Sequence, residues 1–253
     1  MRYTFGDTPT ACERLERIAD FFNPLARDFV ESHLDREVGC AVDLGCGPGF
    51  TTEMLAEATG AMLTCGLDQS DDFIEIAKKR CPAFRFYKHD VTQAGFPVPG
   101  DAMYCRFLLS HLRDTDRVVR TWLEELSPGG QLFIDELESV ETSHPIFREY
   151  LDVNQGLVRS QGAELYVGPT LNRTLRDLPV TANRLTEIPV PNHRAAAWFH
   201  PNTATVWETE PYVAGRLSLP ERARIRDHLA AMMETPPGPS DITWKMRRMV
   251  LKR

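Results

Sequence analysis

The stretch Val42-Asp43-Leu44-Gly45-Cys46-Gly47-Pro48-Gly49 decides how this chain is read. Cys40 to Leu44 supplies the short apolar run of a buried strand, three glycines follow, and Phe50 to Ala58 opens a helix. Glycines permit backbone angles that side chains forbid and let a ligand touch the main chain. The helix start adds N–H groups that no helical carbonyl satisfies, aimed at the same spot. Strand, glycine turn and helix together predict a nucleotide-type cofactor site. Spacing narrows the choice. A dinucleotide fold uses G-x-G-x-x-G, whose last glycine packs helix against strand beside a pyrophosphate. Phe50 stands at that last position, and the acid Asp43 opens the turn. Asp43 suits an ammonium-bearing ligand and repels a pyrophosphate.

Outward from the turn, strands and helices alternate. Met62 to Leu67 is predicted as a strand ending in Asp68, and Ser70 caps a helix over Asp71 to Arg80. Phe84 to Lys88 is a third strand, followed by His89-Asp90. Ala102 to Leu108 is a fourth, Asp114 starts a helix through Leu126, and Gln131 to Leu137 is a fifth strand. Such a rhythm means right-handed crossovers and a parallel sheet covered on both faces. Ligands in such sheets sit beyond the strands' carboxyl ends. Asp43, Asp68, Asp90, Arg106 to His111 and Glu136 all fall there, and that convergence argues for one site.

The flanks are less regular. Residues 9 to 35 read as two helices broken near Asn23-Pro24. This segment packs on the sheet from outside or covers its ligand edge. Beyond Leu137, helices are expected over Pro145 to Ser160, Gly168 to Leu178, Ala195 to Val213 and Leu219 to Met233. Strands are expected over Val180 to Val190 and Thr243 to Leu251, the last after a Pro/Gly-rich turn at Pro236 to Pro239. We expect one domain over 1–253, with a helical arm over 1–37 and an insertion over 138–179 that lids the cofactor edge.

Composition removes other classes. The 253 residues carry 42% hydrophobic residues and a net charge of −7, which disfavours a nucleic-acid partner. Arg222, Arg224 and Arg226 read as a solvated helix face. Six dispersed cysteines without a C-x-x-C pair fit a reducing compartment. No apolar signal segment or membrane-spanning run appears, so a cytoplasmic location away from membranes is expected. The seven histidines form no metal-ligand spacing, and no metal is expected.

Several stretches carry a family resemblance. Asp43 to Gly49 resembles motif I of the class I S-adenosylmethionine (SAM)-dependent methyltransferases. Gly66-Leu67-Asp68-Gln69-Ser70 is similar to that family's acidic end of strand two, and His89-Asp90-Val91 to the residues after strand three. Asp101 to Leu112, with Leu126-Ser127-Pro128-Gly129-Gly130-Gln131-Leu132, resembles its fourth strand and the turn before strand five. The overall pattern is similar to small-molecule methyltransferases of the ubiquinone-biosynthesis type. Composition and spacing alone reach only an α/β fold with a nucleotide-like ligand. The resemblance implies a doubly wound, Rossmann-like α/β fold with a seven-stranded, mainly parallel sheet, its last strand antiparallel, and SAM as cofactor. Asp68 would then accept the ribose hydroxyls, with Gln69 beside it. Asp90 would take the adenine amino group and the Val91 N–H a ring nitrogen. Gly45, Cys46, Gly47 and Gly49 would form the methionine cradle, with Asp43 near the ammonium by water or through the turn's amides and Arg106 at the fourth strand's end.

Methyl transfer from SAM chiefly needs alignment and exclusion of water. A base is required where the acceptor must lose a proton. His111 is the candidate base, with capping or packing as its other role. Glu136 and Tyr166 are further catalytic candidates, a buried Glu136 having its pKa raised. His144, Arg159, Tyr3 and Phe5 could also reach an acceptor. The expected activity is methyl transfer to O, N or C of a small organic acceptor, with a homodimer left open. The competing readings are a SAM-dependent cyclase or isomerase without methyl transfer, a nicotinamide oxidoreductase and a non-enzymatic SAM-binding regulator.

Overall fold

A computed structural model of the chain describes residues 8–235, 238 and 240–253. Tyr3, Phe5 and most of the expected turn at Pro236 to Pro239 lie outside them. Seven strands form one sheet in the order β3-β2-β1-β4-β5-β7-β6. They are β1 (Cys40–Leu44), β2 (Leu63–Asp68), β3 (Arg85–Lys88), β4 (Gly100–Arg106), β5 (Leu126–Thr142), β6 (Val180–Val190) and β7 (Ile242–Lys252). β1 to β5 pair in parallel, and β7 runs antiparallel between β5 and β6. The strand order reverses between β1 and β4, which opens a crevice at their carboxyl ends.

Alternation along β1, β4 and β5 makes both faces apolar. Ala41, Tyr104 and Phe133 face α1 (Pro9–His33) and α2 (Phe50–Thr59), packing on Phe29, Val30 and Leu55. Val42, Met103 and Leu132 join the opposite layer with Trp122 of α4 (Thr115–Glu125) and Leu171 of α6 (Gly168–Thr174). α3 (Asp71–Arg80) places Ile74 and Ala77 against Phe86 and Cys46. Ser70 caps α3 as expected, its hydroxyl accepting from the Phe73 N–H.

A second body of packing lies over the far ends of β5, β6 and β7. There α5 (Pro145–Ser160), α7 (Asn192–Ala204), α8 (Val206–Thr209), α9 (Pro211–Arg216) and α10 (Leu219–Met233) gather around Trp198, Phe199, Trp207 and Tyr150. α10 opens on a capping box between Ser218 and Glu221.

Three expectations need correction. α1 is one helix and not two. Pro24 removes a hydrogen bond inside it, yet Phe22 and Ala26 are buried on either side. Asn23, beside the proline, donates to the Phe50 carbonyl at 3.0 Å and accepts from Arg106 at 2.9 Å. Those tertiary contacts outweigh the break. β5 is far longer than Gln131 to Leu137, because its second half pairs with β7 from Ser139↔Lys245 to Thr142↔Ile242. Residues 138–142, expected in the insertion, therefore belong to the sheet. The helix expected over Ala195 to Val213 is three helices, interrupted at Thr205 and Glu210.

Candidate functional site

The crevice is a cavity of about 450 Å³, within the range of small-molecule sites. Its floor is the glycine turn with Thr51, and one wall is Asp68, Gln69, Ser70 and Phe73. His89, Asp90, Val91 and Thr92 close one end; Arg106 to Leu108, with His111 to Arg113, form the facing wall. Leu15, Ile18 and Ala19 of α1 complete the lining.

All three turn glycines have positive φ, at 67° for Gly45, 51° for Gly47 and 86° for Gly49. Asp68 braces the turn, its two carboxylate oxygens accepting from the Gly47 N–H at 3.0 Å and the Ser70 N–H at 2.8 Å. A Cβ on Gly47 would stand 3.8 Å from Leu15 and 4.0 Å from Phe73, so this glycine faces open cavity. Cys46 turns away and packs on Gly66, where any side chain would collide with its sulfur at 2.7 Å.

The acids at the strand ends divide into two kinds. Asp90 is exposed at the cavity rim; against the upward pull of partial burial, the Thr92 hydroxyl and N–H hold its carboxyl below the usual range. Val91 is buried beside it, its carbonyl fixed by the Trp122 indole at 2.7 Å. Asp43 and Glu136, in contrast, are fully buried behind the cavity wall. Asp43 accepts from the hydroxyls of Thr51 at 2.6 Å and Thr52 at 2.7 Å, tying β1 to the first turn of α2. Burial pushes its pKa up to about 7. So buried, it lies behind the turn and outside the cavity lining.

Glu136 accepts from the Leu108 N–H at 2.7 Å and the Leu109 N–H at 2.8 Å. Burial pushes its pKa up to about 8, as anticipated for a buried acid. It does not line the cavity. It pins the loop after β4, in which Phe107 holds a left-handed φ of 53°, a conformation costly for an aromatic residue. His111 ends the 3-10 turn (Leu109–His111) and borders the cavity. Burial, followed by the charge of Arg14, pushes its pKa down to about 3. An imidazole so placed stays neutral and takes up a proton poorly.

Tyr166, His144 and Arg159 are not part of the cavity wall. Tyr166 packs against the aromatic cap, where burial pushes its pKa up to about 12. His144 precedes α5 with its ring 5.0 Å from Phe147. No described residue of 138–179 lines the cavity. That segment reaches only its rim, where the Gln161 carbonyl accepts from Arg113 at 2.8 Å. The covering element is α1, which its amphipathic pattern allowed without specifying. Thr51 and Thr52 as partners of Asp43 were missed; two hydroxyls in the first turn after a buried acid are the signal that could have found them.

Residues 41–130 match the family described as Methyltransferase domain. A methyltransferase domain thus matches residues 41–130, the part of the chain that builds the crevice. It is 33% identical over 125 residues to a trans-aconitate 2-methyltransferase of Rhizobium leguminosarum, covering 49% of each chain. It is 32% identical over 121 residues to a ubiquinone biosynthesis O-methyltransferase of Methylococcus capsulatus, covering 46% of this chain and 50% of that one. The chain thus spans about half the length of the curated relatives it matches. Coclaurine N-methyltransferase, solved with N-methylheliamine and SAH, has the same fold, with a TM-score of 0.57 at 15% identity over 91% of this chain and 72% of that one. Among the described residues, no group of His, Cys, Asp and Glu could hold a metal ion, and no helix is long and apolar enough to cross a membrane.

Proposed function

We propose that the protein binds SAM in the crevice and transfers its methyl group to O, N or C of a small organic acceptor. The observation that carries this reading is the cavity itself, with the open face of Gly47, the braced Asp68 and the rim acid Asp90 in sequence along it. Asp68 accepts the ribose hydroxyls in charge-assisted bonds while holding the turn. Asp90 accepts the adenine amino group beside the Val91 N–H, and Gln69 borders the ribose. Gly45, Cys46 and Gly47 present main chain to the methionine part, which Arg106 flanks, while Gly49 completes the turn from behind, against Phe86 and Ala77. SAM supplies a methyl group on a positively charged sulfur, displaced in line by the acceptor.

The chain's own residues then have three tasks. Leu15, Ile18 and Ala19 keep water from the reacting atoms. Glu136 holds the strained loop that aligns the acceptor wall. His111, being neutral, orients an acceptor by hydrogen bonding and does not serve as a strong base. The curated relatives named for trans-aconitate and for ubiquinone biosynthesis support a small acceptor without selecting one. The whole chain acting as one domain belongs to the same proposal.

Incubation with methyl-labelled SAM and a panel of small acceptors tests it. Label in a product supports methyl transfer, and an unlabelled rearranged product would identify a SAM-binding isomerase. Absence of SAM and S-adenosylhomocysteine binding by calorimetry would overturn the reading.

A further inference from the structure

Phe107 directly follows β4 and lines the cavity, half-buried. Among the described residues only Phe107 and Asp114 hold a positive φ without being glycine, and aspartate tolerates it. Phe107 is thus the one bulky residue so placed. Contacts on both sides enforce the conformation. The Phe107 N–H donates to the Asp135 carbonyl at 3.4 Å, and Glu136 accepts from the next two N–H groups. Backbone strain persists where neighbours over-determine it, and it gathers at ligand sites. Its product here is a ring set edge-on to Phe22 of α1, with centroids 5.3 Å apart. Sheet order locates that ring. Asp68 ends β2 and Asp90 follows β3, whereas Phe107 follows β4, on the other side of β1. Phe107 and Ile18 line the cavity and also pack on the aromatic cluster around Phe22 and Trp198, so apolar packing reaches the cavity through them. Nearby polar groups add little net charge. The buried Asp43 carboxyl feels the charge of Arg106, and burial keeps His111 neutral. A carboxylate set against Phe107 and Ile18 would lose water without gaining a donor from either. Apolar surface set there gains by leaving water, and a ring gains edge or offset contacts with Phe107 as well.

We infer that Phe107 and Ile18 form an apolar subsite at the β4 end of the cavity, which holds a hydrocarbon or aromatic part of the acceptor. This deepens the proposed function and rests on the same cavity. Phe107 then selects ring-bearing acceptors over polyacidic ones, and its strained backbone is what keeps the ring on the cavity wall.

The test is calorimetry on the protein with S-adenosylhomocysteine in excess, using uncharged 2-naphthol and propane-1,2,3-tricarboxylate as probes. Wild type should bind 2-naphthol more tightly than the tricarboxylate, by about tenfold or more. Phe107→Asn removes the ring and leaves a residue at ease in the left-handed region. Ile18→Ser alters the other side of the subsite without touching the strained turn. Each should weaken 2-naphthol by about tenfold, with S-adenosylhomocysteine affinity roughly that of wild type. Phe107→Tyr keeps a ring and should retain most of the 2-naphthol affinity. A packing role alone would move the urea midpoint and leave the ratio of the two probes as it was. If wild type ignores S-adenosylhomocysteine yet binds 2-naphthol through Phe107, the subsite stands and the SAM reading falls. The inference is overturned if the tricarboxylate binds as tightly as 2-naphthol or if wild type binds neither. It is equally overturned if Phe107→Asn and Ile18→Ser keep 2-naphthol affinity, or lose S-adenosylhomocysteine along with it.

Discussion

The edge around the glycine turn and the aromatic cap over β5 to β7 are built by different means. The edge relies on short polar contacts: Asp68 on Gly47, Asp43 on Thr51 and Thr52, Glu136 on Leu108 and Leu109. The cap relies on ring contacts, with Tyr150 stacked on Phe199 at 4.1 Å and Trp198 edge-on to Trp244 at 5.4 Å. Family likeness at 41–130 falls on the edge and leaves the cap outside. Yet the cap governs the cavity indirectly. Trp198 meets Phe21 and Phe22 at 5.5 Å each, and those rings belong to the helix that roofs the cavity. The lesson is that polar contacts at the edge shape the cavity walls, while packing in the cap positions the helix that covers them.

The largest test of that division is Trp198→Ala. Removing a buried ring of this size should cost roughly 3–5 kcal/mol in urea unfolding. At permissive temperature, the folded variant should lose acceptor affinity more than S-adenosylhomocysteine affinity. Equal losses would dissolve the distinction between the two regions. Gly45→Ala attacks from the other side. A methyl there would lie 2.7 Å from Leu108 at a φ of 67°, which should cost about 1–3 kcal/mol of backbone strain. Here nucleoside binding should disappear from calorimetry while the cap's near-ultraviolet circular dichroism persists.

Glu136→Gln sharpens the electrostatics of the edge. Glu136 has a folded pKa of about 8, above the ordinary 4.5. Its contribution to stability is therefore complete below pH 4.5 and is lost as pH rises toward 8. Glutamine keeps an acceptor for Leu108 and Leu109 but cannot ionise. The variant should gain on wild type between pH 5 and pH 8, on the order of 2 kcal/mol, in urea unfolding at both values. Parallel pH dependences would mean that Glu136 is not the titrating group. Asp68→Ala comes next. Losing a charge-assisted contact to ribose should weaken S-adenosylhomocysteine by roughly 1.5–3 kcal/mol. Part of that loss is indirect, through the Gly47 N–H that Asp68 holds. Unchanged affinity would remove it from the site.

How much of this was legible before the fold was known follows the same division. The strand-turn-helix of 42–58, the Ser70 cap and the alternation of strands and helices along the chain depend on neighbours a few residues apart, and periodicity captured them. The seven-stranded arrangement came with the family resemblance. What local pattern missed was set at long range. Pro24 suggested a break, but Asn23 is held by residues 27 and 83 positions away. Glu136 was expected at a strand end, with Asp68 and Asp90 at theirs, but β5 continues past it to Thr142, and position alone does not tell inward from outward. The insertion over 138–179 was expected to lid the cavity because it follows β5; its strand pairing and aromatic packing carry it to the cap.

The smallest expected effect concerns His111, where the cavity wall meets the chemistry. With its pKa pushed down to about 3 from 6.5, the folded protein resists protonating it. Stability is lost as pH falls from 6.5 toward 3, because the unfolded chain takes up the proton first. Near neutral pH the ring is already uncharged, so replacement by a neutral hydrogen-bonding side chain changes little. His111→Gln should lower turnover by less than tenfold, about 1 kcal/mol, and leave the shape of the pH–rate profile intact. A strong general base would behave otherwise. Its wild-type profile would show an acid limb near the imidazole's ordinary pKa, and that limb would vanish in the variant. Observing both would return His111 to the catalytic role that its place after β4 first suggested.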